Sequence, residues 1–363
     1  MKANWRFNVK MKHLFGIAIL ILVSMLVLTS CIFTPDHDHE YVVYEMKEPT
    51  KTEAGYRKYK CSVCGETITE NLGRLESAKW AGVRVSSYGM VKDPDENPYG
   101  FDEFPDVKKT LGFAKKMESS YSGSIGTYIL LVGTVDQSTW TCRLRFPLSK
   151  TITKASGTFY DFYEDYLSAM DAAGYSVWLQ IEPGDADIVE LATEVMSHYK
   201  HHSCVKGFGI DVEWYKPEDE EKEGYGTKLD QETATDVLDA VKAIKENYTV
   251  FVKHWDKNWL PKINKTGLIY VDDSQGFHSG KTSTALERMC NEFASWADNF
   301  SPCPVMFQIG YENDMDRIWG SMQNPAKEVG EAILAECKKR GLTNDIGIIW
   351  VDFTLKEVIG KID

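Results

Sequence analysis

The hydrophobic pattern of this chain changes period several times. Short runs rich in β-branched and aromatic residues recur at 83–87, 128–133, 176–181, 205–212, 249–254, 268–271, 305–309 and 346–351. Between them, at 107–119, 159–173, 188–199, 232–245, 285–300 and 326–340, apolar residues fall at helical spacing. Strands that alternate with helices, and are apolar along most of their length, predict a parallel sheet covered on both faces. Eight of them within residues 78–363 match the count and size of a (β/α)8 barrel, so the predicted fold class is α/β with TIM-barrel architecture. Two crossovers lack a clear helix: the connection between the fifth and sixth strands is short, and the last helix is a stub at 355–362. An open doubly wound sheet would carry a glycine-rich phosphate loop after its first strand, and the sequence has none there.

In such a barrel the chemistry belongs at the C-terminal ends of the strands. The fourth strand reads GFGIDVEWY over 207–215. Alternate side chains of a strand share a face, so Gly207, Gly209, Asp211 and Glu213 are expected together, with Phe208, Ile210 and Val212 opposite. Asp211 and Glu213 are the predicted catalytic pair: a neighbouring carboxylate helps a glutamate keep its proton, which a general acid requires. The other strand ends add polar and aromatic residues. The third supplies Gln180 and Glu182, the fifth Lys253, His254 and Trp255, and the sixth Tyr270, Asp272, Asp273 and Gln275. The seventh supplies Gln308 and Tyr311, and the eighth Trp350 and Asp352. Taken singly, Lys253 with His254 reads as a strand-end ion pair and Trp350 as core. Their convergence on one end, with aromatics among acids and amides, is the composition of a sugar-binding cleft. Glu182, Asp272 and Glu312 are candidates for a second carboxylate across a glycosidic bond. There is no HExxH, no GxSxG and no basis for a serine triad, and no cofactor is expected to be required for the chemistry.

The first thirty residues read differently from the rest. Lys2, Arg6, Lys10 and Lys12 precede an apolar run at 14–28 that is short for a spanning helix. Because this segment contains no acid, its removal would take the net charge from −13 to −17. A surface so acidic excludes nucleic-acid binding by counterion release and is repelled by anionic lipid, so membrane contact needs an anchor. Leu28-Thr29-Ser30-Cys31 resembles the bacterial lipobox, which implies a signal peptide at 1–30, lipidation at Cys31, and an exported protein held at the cell surface. Of the other cysteines, Cys142, Cys204, Cys290, Cys303 and Cys337 are scattered singly and are expected as buried thiols.

Residues 31–77 are expected to form a tether and a small module. The stretch KEPTKTEAGYRKYKCSVCGETITE resembles the zinc-ribbon-like repeats of bacterial surface proteins, with Lys51 where those repeats carry a cysteine. That leaves Cys61, Cys64, His39 and His37 as ligands for a structural zinc, or a ribbon that has lost its metal. The barrel resembles the chitinase-like family 18 of glycoside hydrolases, whose fourth strand carries D-G-x-D-x-D-x-E. Gly207, Asp211 and Glu213 match it, Lys206 and Gly209 replace the first two aspartates, and GIIW ending at Trp350 is similar to the family's eighth strand. The resemblance implies that Glu213 protonates the glycosidic oxygen, that Asp211 holds the substrate's 2-acetamido group, and that the partner is a carbohydrate polymer. A barrel that binds glycan without cleaving it is the alternative.

Overall fold

The computed structural model describes residues 37–90, 100–217 and 226–361. The predicted signal peptide and Cys31 lie outside the described residues. The chain divides into two compact units, Met1–Tyr41 with Lys60–Thr67, and Val42–Tyr59 with Ile68–Asp363. In the smaller unit the chain folds back at the CxxC knuckle, where Cys61 N–H donates to the Glu66 carbonyl (2.8 Å) and Gly65 N–H to that of Cys61 (3.0 Å).

Strands β1 (Tyr41–Lys47), β2 (Gly55–Cys61) and β3 (Thr67–Gly73) form a sheet in the order β1-β2-β3. Beyond it the larger unit is the predicted barrel. Its strands are β4 (Trp80–Val85), β5 (Ile125–Asp136), β8 (Ser176–Ile181), β9 (Val205–Asp211), β10 (Thr249–His254), β11 (Leu268–Asp272), β12 (Val305–Ile309) and β13 (Ile346–Val351). All pair in parallel, and β4 pairs with both β5 and β13, which closes the sheet. The helices are α1 (Val107–Ser119), α2 (Glu164–Ala173), α3 (Ile188–His198), α4 (Gln231–Ile244), α5 (Ala285–Phe300), α6 (Pro325–Lys339) and α7 (Asp352–Ile359). Their starts are written in the sequence: Asp106, Asp187, Asp230 and Asn324 cap through their side chains, and Thr284 with Glu287 forms a capping box.

Between β10 and β11, where the sequence shows no clear helix, the only helical piece is a single 3-10 turn, Lys257–Trp259. Two features differ from the expectation. The last helix begins directly after β13 at Asp352 rather than at 355. Past its barrel half, β5 runs on to pair antiparallel with β6 (Thr141–Leu144), which pairs with the short β7 (Ala155–Ser156). This extension has no hydrophobic period of its own to announce it.

Each barrel strand sorts its side chains into two cores. Outward residues such as Val83, Leu179, Ile210, Tyr270 and Ile348 pack with the helices. Inward residues, Trp80, Ile125, Ile129, Trp178, Phe251, Ile269, Val271, Met306 and Ile349, fill the lumen. Met46 of β1 and Leu72 of β3 pack against this inner cluster. Arg57 of β2, 1% exposed, makes a two-pronged ion pair with Glu118 of α1 at 2.5 and 3.0 Å. The five scattered cysteines are buried and free.

Candidate active site

Gln180, Lys253, Asp273 and Gln308 each stand two residues past an inward apolar residue, Trp178, Phe251, Val271 and Met306, so strand alternation aims them into the lumen. Asp211 ends β9 and pairs in register with Lys253. These positions lie at the C-terminal ends of the strands, above the apolar filling, and there the lumen turns polar.

Lys253 is the hub. Its ammonium, 3% exposed, lies 3.0 Å from Asp211 Oδ2 and 3.0 Å from Glu213 Oε1, and also contacts Asp273 Oδ2. Since both oxygens lie at the same distance from one nitrogen, Asp211 and Glu213 are no further apart than twice that distance. They do not meet by strand alternation, however. β9 ends at Asp211, and Val212–Trp214 is a 3-10 turn that carries Glu213 back over the strand end. Asp211 Oδ2 also accepts from Gln180 Nε2 at 3.1 Å. Tyr311 OH lies 3.5 Å from Asp273 Oδ2 and 3.3 Å from Gln308 Oε1.

Burial and these neighbours spread the proton affinities of the cluster apart. Burial alone would lift Asp273, but the Lys253 charge and a hydrogen bond from Glu213 overcome it and hold this carboxylate below its ordinary range. Glu213 goes the other way, pushed well above the usual glutamate value by burial and then by the charge of Asp273, with Asp211 adding to it. Asp211 is raised to about 6 by burial, against the pull of Lys253. Lys253 stays charged, since its three carboxylates outweigh the burial that disfavours an ammonium. Burial and the charge of Asp273 thus favour the protonated form of Glu213, while Lys253 favours the ionised form of Asp273. The sequence had paired Glu213 with Asp211 alone; Asp273 is the stronger partner.

Glu182 forms a second acid beside this hub. Its Oε2 accepts from Tyr88 OH at 2.7 Å and Val135 N–H at 2.9 Å. Burial, then the charge of Asp211, raise it to about 7. Across the mouth Asp352 is held by Arg84 Nη2 at 3.0 Å and by Ser86 N–H and Oγ at 2.6 and 2.8 Å. Arg84, Ser86 and Tyr88 were not read from the sequence. The signal was there, because Arg84 is the one charged residue in the otherwise apolar β4, and a charge on a buried strand needs a partner.

Four expected site residues are not brought to this cluster. Tyr270 and Trp350 belong to the outer core: the Tyr270 hydroxyl donates to the Pro261 and Ile263 carbonyls, and Trp350 Nε1 donates to Thr354 Oγ1 at 3.0 Å. His254 has the parity of the outward Val250 and Val252, and its Nδ1 accepts from Asp256 N–H at 2.7 Å while its ring stacks near Trp259. Asp272 caps its own loop, accepting from Ser274 N–H and Oγ at 2.8 and 2.6 Å. In each case the one-residue step that separates inward from outward decided the placement. Trp255, half-buried, lies against the His254 ring. Gln275 is tied to Asn313 in the following loop, and no described contact joins Glu312 to Lys253.

A Cβ on Gly209 would lie 2.0 Å from the Phe251 ring, so the lumen space beside this position is filled by the next strand's phenylalanine.

In the smaller unit, His37, His39, Cys61 and Cys64 bring one ligand atom each to within 4.8 Å of one another. Cys61 Sγ is 3.5 Å from His37 Nε2, and Cys64 Sγ is 3.5 Å from His39 Nδ1. Two thiols and two imidazoles so placed fit a tetrahedral zinc with modest closing of the shell.

No family model matches the chain, and no curated protein matches it. Solved structures give matches at low similarity. A β-glucuronidase from an uncultured Clostridium sp. is 9% identical, with 84% of this chain and 51% of that one covered, at a TM-score of 0.42. ZgEngAGH5_4, solved in complex with a cellotriose, is 14% identical over 78% of this chain and 96% of its own, at 0.46. A GH5-4 broad specificity endoglucanase from Clostridium longisporum is 11% identical over 76% and 88%, at 0.41. These neighbours are glycoside hydrolases, and the chain spans about half the length of the glucuronidase.

Proposed function

We propose that the barrel mouth cleaves glycosidic bonds of an extracellular, N-acetylated polysaccharide by carboxylate acid/base catalysis, with Glu213 as the general acid. The observation that carries this reading is the buried cluster itself, Asp211, Glu213 and Asp273 gathered on one lysine at the C-terminal ends of the strands, where burial raises Glu213 and Lys253 lowers Asp273. Glu213 is also the most accessible of the three carboxylates on Lys253, with 15% of its side chain exposed. Asp211 Oδ1, Gln180 Oε1 and Gln308 Nε2 are buried and have no hydrogen-bond partner among the described residues. Buried polar atoms of this kind are suited to meeting sugar hydroxyl and acetamido groups. On this reading Asp211 holds the acetamido group while Glu213 protonates the leaving oxygen. No cofactor is needed for that chemistry.

Glu213→Gln tests it. Release of reducing ends from N-acetylated polymers should fall by about 100-fold or more, the scale of a lost general acid, while polymer binding persists. Unchanged release refutes the assignment. A second reading, a glycan-binding barrel without turnover, is favoured by one observation: the Lys253 ammonium occupies Asp211 and Glu213 together. Absence of turnover in the parent protein, with polymer binding intact, would select it.

The basic and apolar leader before Cys31 supports export and a lipid anchor, which would place the barrel outside the membrane. The cluster of His37, His39, Cys61 and Cys64 is proposed to hold a structural zinc in that surface-exposed context.

A further inference from the structure

Three histidines, His198, His201 and His202, stand where α3 ends and the chain turns toward β9, on the helical wall of the barrel and among none of the residues of the mouth. Two of them converge on one carboxylate of α2. His201 Nε2 lies 3.2 and 3.3 Å from the two oxygens of Glu164, and His202 Nε2 lies 3.3 Å from Glu164 Oε2. The opposite ring nitrogens are both engaged. His201 Nδ1 is 3.1 Å from the His198 carbonyl oxygen, and His202 Nδ1 is 2.7 Å from Asp171 Oδ2. A carbonyl oxygen only accepts, so His201 Nδ1 carries the hydrogen. Asp171 already accepts from Ser203 Oγ and Cys204 N–H, so it too is an acceptor, and His202 Nδ1 donates to it.

In neutral rings with Nδ1 protonated, each Nε2 presents a lone pair. Here both lone pairs face a carboxylate, which also only accepts. Three acceptors facing one another require positive charge between them, either two further protons or one metal ion. The two rings stand side by side with centroids 4.1 Å apart, which brings both Nε2 atoms and the Glu164 carboxylate within reach of one ion. Zinc at 2.0–2.1 Å from each of two tetrahedral ligands separates them by about 3.3 Å, which the nitrogen-to-oxygen distances here already match. Anchoring the far ring nitrogen on a carboxylate or a carbonyl is what metal-bound histidines do, because it sets the tautomer and aims the ligand atom.

We propose that Glu164, His201 and His202 form a binding site for a divalent transition-metal ion of the zinc class. The three ligand atoms lie within 4.8 Å of one another. His202 is 2% exposed and fixes the inner wall of the site, while His201 and Glu164, with 53% and 44% of their side chains exposed, leave the remaining coordination positions to water. The ion would pin the first turn of α2 to the α3–β9 connection.

The full chain carrying Cys61→Ser and Cys64→Ser, which removes the thiolates of the other cluster, is stripped with chelator and titrated calorimetrically with Zn2+. One Zn2+ per chain is expected. Adding His201→Ala, at a half-exposed position, should weaken that binding by more than about 100-fold, beyond the effect of losing an outer partner, and Glu164→Gln should act in the same direction. Circular dichroism on each variant verifies that the barrel is intact. No Zn2+ uptake by the double-serine chain overturns the proposal. So does uptake that neither His201→Ala nor Glu164→Gln changes, since the ion would then lie elsewhere.

Discussion

Replacing Lys253 by methionine tests whether its ammonium is what makes three buried carboxylates tolerable. At 3.0 Å and an effective dielectric of about 20, the ion pair of Lys253 with ionised Asp211 is worth about 5 kcal/mol before desolvation is subtracted. Desolvation of the buried ammonium offsets much of this, and breaking a buried network by removing one partner costs about 3–5 kcal/mol net. For a domain this large that corresponds to a fall in Tm of roughly 6–15 °C. The pH dependence carries the sharper signature. Without Lys253, Asp273 loses the main charge that holds it low, and Asp211 and Glu213, already raised by burial, lose the charge that pulls them down. A group raised in the fold contributes stability that is present below its unfolded pKa, near 4, and is lost as pH rises through its folded value. The deficit of Lys253→Met should therefore be larger at about pH 8 than at about pH 5. Denaturant unfolding followed by tryptophan fluorescence at the two pH values measures it. A deficit below about 1 kcal/mol, or one equal at both pH values, would refute the hub as described.

Three further outcomes follow from the same geometry. Glu182, raised to about 7 by burial, contributes stability that is lost as pH rises through 7, about 3 kcal/mol for its displacement from the usual range, so Glu182→Gln should flatten the stability profile between about pH 5 and pH 9 in unfolding titrations. Gly209→Ala should destabilise by about 1–3 kcal/mol or more in thermal unfolding because its Cβ meets the Phe251 ring, and pairing it with Phe251→Ala should cost less than the two single losses added together. Cys61→Ser with Cys64→Ser should abolish zinc uptake by the smaller unit while leaving reducing-end release unchanged; a matching loss of activity would place that metal in the mechanism.

Hydrophobic periodicity was enough to determine the eight barrel strands and most of the helices, because a parallel barrel buries its strands on both faces and so writes each as an apolar run between capped helices. The same logic located the end of the barrel where polar residues gather, and singled out Asp211, Glu213, Lys253, Asp273, Gln180 and Glu182 by their positions past the strands. What periodicity could not decide is which of two neighbouring residues turns inward once a strand ends. Asp272 and Asp273 are adjacent and equally acidic, yet one caps a loop and the other joins Lys253 in the buried cluster. Glu213 itself reaches the cluster through a 3-10 turn, with Lys253 of the next strand as its contact, a meeting brought about by barrel closure and register. The histidine and carboxylate cluster of α2 and the α3–β9 connection was likewise invisible along the chain, since its ligands are 37 and 38 residues apart and only the packing of helices on the barrel wall brings them together.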